Sequence, residues 1–419
     1  MNAEGIMKGI TEKARKGADA LRLLSKEEKD EVLLSMAEEM EAAREEIKKA
    51  NEKDISEAKK EERSAAFIDR LMLDNKRIDG MRAMIKEVAS LPDPVGSVIE
   101  KTKRPNGLLI EKIRVPIGVI GIIYEARPNV TAECVSLCLK SGNAVILRGG
   151  SGSINSNKAI CGALKKAAIK HGLDEGAFLL IENTGRDLVD AMLKARGGID
   201  LIMPRGGESL IHEVSEKSRI PVIKHYKGIC SIYVDDEADL DMAKKICFNA
   251  KVQRPGVCNA METMLVNKKI AEVFLGDIGE MFAKAGVRLK GCSETIKILG
   301  DLAEEADDED FGTEWLDLIL NIRVVSSLEE AVKHIERFGS HHSDAIVTEN
   351  TVHAEEFLSK VDSAAVYVNA STRFTDGAQF GKGAEIGIST DRLHARGPMG
   401  LEELTTYKYV IHGNGQIRT

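Results

Sequence analysis

Between Val115 and Met203 short apolar runs alternate with stretches of helical spacing, and this alternation constrains the fold more than any other feature. Residues 115–123 form a continuous apolar run. A helix-like stretch follows to Lys140. Strands are expected at 144–147, 178–181 and 201–203, with helices at 158–171 and 188–194 between them. Strands joined through helices run parallel, and a parallel sheet is covered on both faces. Such sheets bind ligands beyond the carboxyl ends of their strands, so the loops there are the first candidates for a site.

The flanking segments read differently. Residues 1–90 place Leu21, Leu24, Val32, Met36 and Met40 at helical spacing among Lys and Glu, the pattern of amphipathic helices with solvated outer faces. Pro92 and Pro94 end that pattern. Residues 97–116 alternate on both sides of Pro105-Asn106-Gly107, a strong hairpin signal because the turn needs positive φ. The hairpin carries Lys101, Lys103, Arg104, Glu111, Lys112 and Arg114, so it is either an arm that pairs with another subunit or a solvated surface hairpin. A second α/β unit begins at 231–234, with a helix at 239–250 and a strand at 261–266, and continues to about Gly387. Residues 405–411 suit a terminal strand.

A chain of 419 residues accommodates two or three domains. Its net charge of -8 and its 4% aromatic content oppose binding to nucleic acid or anionic membranes. The first seventeen residues are charged and lack the apolar core of a secretory leader, which points to the cytoplasm. Seven irregularly spaced cysteines, at 134, 138, 161, 230, 247, 258 and 292, do not read as a disulfide framework. Cys134 and Cys138 lie one helical turn apart, but without further ligands they read as core thiols, and no metal is expected.

Four short motifs carry possible chemistry. Gln253-Arg254-Pro255-Gly256-Val257-Cys258-Asn259 places Cys258 on a turn between a helix and a strand. Arg254 and free turn amides would favour its thiolate; a structural cysteine is the alternative. Arg148-Gly149-Gly150-Ser151-Gly152-Ser153 follows one strand, and Pro204-Arg205-Gly206-Gly207-Glu208-Ser209 follows another. Each is a phosphate-binding turn or simply a tight strand-to-helix connection. The cluster Ser340-His341-His342-Ser343-Asp344 is poor evidence for a hydrolytic triad, whose members normally come from distant elements.

Taken in order, Pro116-x-Gly118-Val119, Gly142-Asn143-x-x-Ile146, Gly206-Gly207, Gly228, Gly256-Val257-Cys258 and Glu314 resemble the aldehyde dehydrogenase superfamily across nearly the whole chain. Within it, the stretches 325–346, 368–377 and 383–401 resemble the γ-glutamyl phosphate reductase family. The resemblance implies an α/β fold of two parallel-sheet domains with a β-hairpin oligomerisation arm. The implied cofactor domain is 1–97 with 117–230, the catalytic domain 231–394, and the arm 98–116 with 395–419.

It also implies that Cys258 is a nucleophile that reduces an acyl phosphate to an aldehyde through a thioester. The implied cofactor is NADP(H), held by Arg148, Gly149, Ser151, Gly206, Gly207 and Glu314. Arg254, Asn129, His342 and Arg373 are the substrate candidates, with structural ion pairs as an equal alternative for the charged ones. The small-molecule substrate would be supplied by glutamate 5-kinase, and the enzyme would be a homo-oligomer. The alternatives are another acyl-phosphate or aldehyde dehydrogenase of the superfamily, or a non-catalytic nucleotide-binding relative.

Three departures from the superfamily pattern bear on chemistry. Hydrolytic members carry a water-activating Glu where this chain reads His225-Tyr226-Lys227-Gly228, which favours a thioester that trades with phosphate. An acid after the second strand, typical of NAD-preferring members, is replaced by Ser151, which favours a 2′-phosphate. The oxyanion-donating Asn of hydrolytic members aligns with Ala126, and Asn129 or backbone amides are the substitutes.

Overall fold

The chain divides into two compact units, Met1–Lys224 with Gly381–Gly387 and Met399–Thr419, and His225–Phe380 with Ile388–Pro398. The computed structural model describes residues 2–224 and 227–418.

Five helices open the first unit: α1 (Ala3–Leu21), α2 (Lys26–Ala42), α3 (Arg44–Lys60), α4 (Ala65–Leu71) and α5 (Asn75–Ser90). Asn2, Ser25, Ser64 and Asp74 cap four of them by accepting first-turn amides. Strands β1 (Val98–Lys103) and β2 (Leu109–Pro116) form the expected antiparallel hairpin, with Gly107 at φ +89° in its turn. The free edge of β2 pairs with the C-terminal strand Thr405–His412, Leu109 standing opposite His412.

The apolar run at 115–123 is not one element. The chain leaves the hairpin at Pro116 and enters a different sheet at β3 (Val119–Tyr124). Gly118 makes the break at φ +129°, and a Cβ there would lie 2.3 Å from Asp200 Oδ2. Arg15 grips Asp200 through two 2.7 Å bonds, and the same carboxylate accepts the Val119 amide at 2.8 Å. Only glycine fits that corner.

After β3 come α6 (Asn129–Lys140), β4 (Ala144–Gly149), α7 (Ile154–Lys170), β5 (Phe178–Leu180), α8 (Arg186–Lys194), β6 (Leu201–Arg205) and α9 (Glu208–Lys217). The four strands are parallel in the order β5-β4-β3-β6. The winding therefore reverses beside β3, which opens a crevice at the carboxyl ends of β3 and β6. Helix α7, which follows the first glycine-rich turn, has no cap of its own. Buried Asp54 on α3 supplies one, accepting from the Asn155 amide (3.2 Å), the Ser156 amide (2.8 Å) and the Ser156 hydroxyl (2.5 Å).

The second unit contains β7 (Cys230–Val234), α10 (Leu240–Val252), β8 (Met261–Asn267), α11 (Ala271–Lys284), β9 (Arg288–Gly291), α12 (Ser293–Leu299), β10 (Ala303–Glu305), α13 (Asp308–Phe311), β11 (Ile319–Val325), α14 (Leu328–Phe338), β12 (Ser343–Val347), α15 (Thr351–Lys360) and β13 (Ala365–Val368). Its main sheet has seven strands, all parallel, in the order β10-β9-β11-β8-β7-β12-β13. β7 and β8 are buried at every position, with the polar Ser231, Glu262, Thr263 and Asn267 among the buried residues.

A histidine in the core of this unit is polar without compensation. His334 on α14 lies between Phe311 and Phe338, with ring centroids 5.0 and 4.7 Å away, and neither ring nitrogen has a hydrogen-bond partner. Burial first, and then Arg323 and Arg337, push its pKa from 6.5 down to about 3. The unfolded chain therefore binds a proton below pH 6.5 that the folded chain refuses, and stability falls as pH drops. From pH 7 to pH 5 this site alone costs about 2 kcal/mol. His334→Phe is expected to remove that increment in urea melts at the two pH values. An unchanged pH slope in the variant would exclude His334 as its source.

Candidate active site

The residues singled out in the second unit meet at the amino edge of its sheet, not at the carboxyl edge where ligands of parallel sheets are expected. Gly228 precedes β7, Cys258 precedes β8, Glu314 precedes β11 and His342 precedes β12. Because β7, β8 and β11 are neighbours on one side and β12 on the other, their incoming loops converge.

Burial separates the cysteines. Cys134, Cys138, Cys161, Cys230 and Cys247 are buried, and burial raises each thiol's pKa, for Cys161 to about 11. Such thiols are inert at neutral pH. Cys292 is partly exposed but structural: it stands at the N-cap position of α12, and its sulfur accepts the Val324 amide at 3.4 Å. Cys258 is partly exposed and stands on a loop.

Gly228 is pressed against that loop. A Cβ on it would lie 2.0 Å from the Cys258 carbonyl oxygen and 2.5 Å from the Cys258 Cα, so the two backbones touch directly. The Gly228 amide donates to Glu314 Oε1 at 2.9 Å, which ties Glu314 to the backbone beside the thiol. On the other side, Asn259 donates to the Thr375 carbonyl at 2.7 Å, and Thr372 donates to the Asn259 carbonyl at 2.7 Å. These bonds bring the 372–375 turn, and with it Arg373, to the Cys258 loop.

Arg373 is held through Nε on Gln253 Oε1 at 2.9 Å. Its pKa is lowered by partial burial and next by Arg254, with Asp376 and Cys258 also in electrostatic range. Two guanidiniums whose fields overlap beside a candidate nucleophile make a place for an anion.

His342 lies elsewhere in this arrangement. It is fully buried; its Nδ1 faces Ser343 Oγ at 2.9 Å and Cys230 Sγ at 3.6 Å, and the Cys230 thiol donates to the Cys258 carbonyl at 3.2 Å. It supports the Cys258 loop from beneath. Asp344 is engaged by other groups, accepting from the Ser231 amide (2.8 Å) and the Ser363 hydroxyl (2.5 Å), and does not complete a triad with Ser343 and His342.

In the first unit, the crevice beside β3 gathers the nucleotide candidates. Gly149 and Gly150 pack where a Cβ would meet Asn157 at 2.1 Å and the Ala126 amide at 3.4 Å. Ser151 is exposed at the next position. Arg148 donates to the Thr184 carbonyl at 2.8 Å and to the Gly149 carbonyl at 3.1 Å, while its buried Nε has no partner. Gly207 caps α9 without a side chain, and its amide is taken by Glu125 Oε2 at 3.0 Å. Arg127 lies beside Arg205 and Arg70, and loss of hydration first and these neighbours next lower its pKa. Asn129 begins α6 on this unit and is exposed. Turn amides, an exposed hydroxyl and clustered arginines fit the phosphates of a dinucleotide. His225 and Tyr226, part of the stretch that lacks the hydrolytic Glu, lie outside the described residues.

The model of the aldehyde dehydrogenase family matches residues 3–297. The γ-glutamyl phosphate reductase of Caldanaerobacter subterraneus subsp. tengcongensis is 57% identical over 406 residues, covering 97% of this chain and 98% of that protein. That of Thermodesulfovibrio yellowstonii is 53% identical over 412 residues, with 98% of each chain covered. The crystal structure of γ-glutamyl phosphate reductase from Thermotoga maritima superposes with a TM-score of 0.96 at 48% identity, covering 98% of this chain and 99% of that one. The chain belongs to the γ-glutamyl phosphate reductase family.

Members of the γ-glutamyl phosphate reductase family are oxidoreductases built on the aldehyde dehydrogenase fold, and the two parallel sheets with their hairpin arm match it. Among the described residues no helix is long and apolar enough to cross a membrane. Sequence reasoning passed over Glu125, Arg127 and Arg205 as site residues. The signal was present: Glu125 and Arg127 follow β3 and Arg205 ends β6, the pair of strands where the winding reverses. It also passed over Lys251 and Glu262, whose pairing spans a helix, a turn and a strand.

Proposed function

We propose that this protein reduces L-glutamyl 5-phosphate to L-glutamate 5-semialdehyde and phosphate, using NADPH, as a step of proline biosynthesis. The observation that carries the reading is the partly exposed Cys258 thiol on a loop that also brings in Arg254 and Arg373. An acyl phosphate has an electrophilic carbonyl and a dianionic leaving group, and that pair of features calls for a thiolate next to paired guanidiniums.

The Cys258 thiolate attacks the γ-carbonyl, a C–S bond forms, and the C–O bond to phosphate breaks with phosphate leaving as the anion. When bound, NADPH would supply the hydride that reduces the thioester carbon. The resulting thiohemiacetal oxyanion collapses to the aldehyde as its C–S bond breaks, releasing the Cys258 thiolate, and the proton consumed overall goes from water to the departed phosphate. Arg254 and Arg373 hold the phosphate or the α-carboxylate. Asn129 is assigned to substrate on the first unit, and His342 to keeping the Cys258 loop in place. For the cofactor, Arg148 and Ser151 are assigned to the 2′-phosphate, the turns at Gly149 and at Gly206-Gly207 to the phosphates, and Glu314 to the nicotinamide ribose. Glu125 then has to leave the Gly207 amide for a phosphate oxygen to take it.

Residues 225–228 carry no carboxylate to activate water, which supports a thioester that exchanges with phosphate. A labile acyl phosphate is best taken directly from its producer, so glutamate 5-kinase is the proposed supplier. The exposed apolar side chains on the outer arm strands, Val98, Ile99, Tyr407 and Ile411, suit pairing with a second copy of the chain. The experiment is the reverse reaction with and without phosphate. Oxidation of glutamate 5-semialdehyde by NADP is expected to slow by about 100-fold or more when phosphate is omitted. Equal rates in both conditions would make the enzyme a hydrolytic dehydrogenase and overturn the proposal.

A further inference from the structure

Lys251 and Glu262 are both fully buried, 2.7 Å apart, and neither belongs to the reaction described above. Lys251 lies in the last turn of α10, which leads into the Cys258 loop; Glu262 lies on β8, four residues after Cys258. A buried ion pair is a weak source of stability, because desolvating both charges offsets their attraction. Here burial pushes the Glu262 carboxyl up to about 7 and the Lys251 ammonium down, and each partner opposes the other's shift. Asp317 and Cys230 also face Lys251, and Glu314 faces Glu262, so the pair is buried among further titratable groups.

The second oxygen of Glu262 has a different task. Oε1 accepts the Leu316 amide at 3.2 Å. Leu316 has φ +53°, a backbone conformation that a leucine holds only when its surroundings impose it. Two residues earlier, Glu314 accepts the Gly228 amide, and Gly228 touches the Cys258 backbone. The contacts close a ring: Cys258 to Glu262 along the chain, Glu262 to Leu316, Leu316 back to Glu314, Glu314 to Gly228, and Gly228 to Cys258.

We propose that Lys251 and Glu262 are positioning residues that fix the Glu314 loop to the strand behind Cys258, with Lys251 orienting the carboxylate and Glu262 Oε1 anchoring the loop at Leu316. The inference rests on the assignment of Glu314 to the nicotinamide ribose. It predicts that the pair acts on nucleotide binding.

Removing both charges together avoids a buried unpaired ion, so the test uses double variants. K251M/E262Q keeps an amide oxygen for the Leu316 amide; K251M/E262L keeps none. NADPH binding by fluorescence titration is expected to weaken about tenfold in K251M/E262L and less than threefold in K251M/E262Q. The KM for glutamate semialdehyde is expected to move less than threefold in both. If K251M/E262L does not fold, Glu262→Gln alone answers the same question. Its single carbonyl oxygen goes to the Lys251 ammonium, the stronger donor, and deserts Leu316. That variant should bind NADPH at least threefold more weakly, and adding Lys251→Met should restore binding. NADPH affinity unchanged in K251M/E262L, or in E262Q, overturns the inference. Wild-type protein that binds no NADPH overturns the functional reading instead.

Discussion

Cys258→Ser is expected to lower phosphate-dependent turnover by roughly a thousandfold or more while leaving the melting temperature and NADPH affinity close to wild type. A serine hydroxyl does not ionise near neutral pH, and the loop supplies guanidiniums to favour an anion, not a base to remove a proton. Cys161→Ser and Cys247→Ser serve as comparisons. Their thiols are buried and pushed up, so these changes should act on stability and leave kcat nearly intact. Alkylation by iodoacetamide gives an independent reading: the first equivalent incorporated should map to Cys258, and turnover should fall in step with it. Appreciable turnover by Cys258→Ser, or inactivation that tracks another cysteine, would remove Cys258 from the mechanism.

Local signals account for most of the secondary structure. The Asn106-Gly107 turn, the apolar runs at β3 and β4, and the Pro255-Gly256 turn that puts Cys258 on a loop are all set by residues near one another in the chain. Features that depend on the meeting of distant segments were not legible. The break at Gly118 is imposed by Asp200, which no local pattern announces. Glu125 reaches Gly207 across 82 residues, Glu314 reaches Gly228 across 86, and Arg373 reaches Gln253 across 120. The histidines show the same limit. His342 reads as a substrate candidate within a polar cluster, and the structure buries it completely ahead of β12. The convergence of the Gly228, Glu314 and His342 loops on Cys258 follows from strand order, which periodicity does not encode.

Strand order also gives Gly228 its weight. The loop entering β7 must pass the loop entering β8 at backbone contact, because the two strands are neighbours in register, Cys230 opposite Met261. Gly228→Ala therefore places a methyl group 2.0 Å from the Cys258 carbonyl oxygen, against backbone atoms that have no rotamer through which to yield. Either the Cys258 loop shifts or residue 228 does, and a shift of residue 228 also breaks its bond to Glu314. We expect kcat/KM to fall by about 100-fold or more, since a displacement near 1 Å at the reacting group costs on that order. Stability should fall by about 1–3 kcal/mol, the usual range for overpacking a tight site. Gly80→Ala provides the contrast: Gly80 lies inside α5 with open space around it, and alanine there is expected to add up to about 1 kcal/mol of stability without affecting turnover. The decisive measurement is the rate of Cys258 alkylation in folded Gly228→Ala. A rate and a kcat/KM both within threefold of wild type would show that the contact between Gly228 and Cys258 does not hold the nucleophile in place.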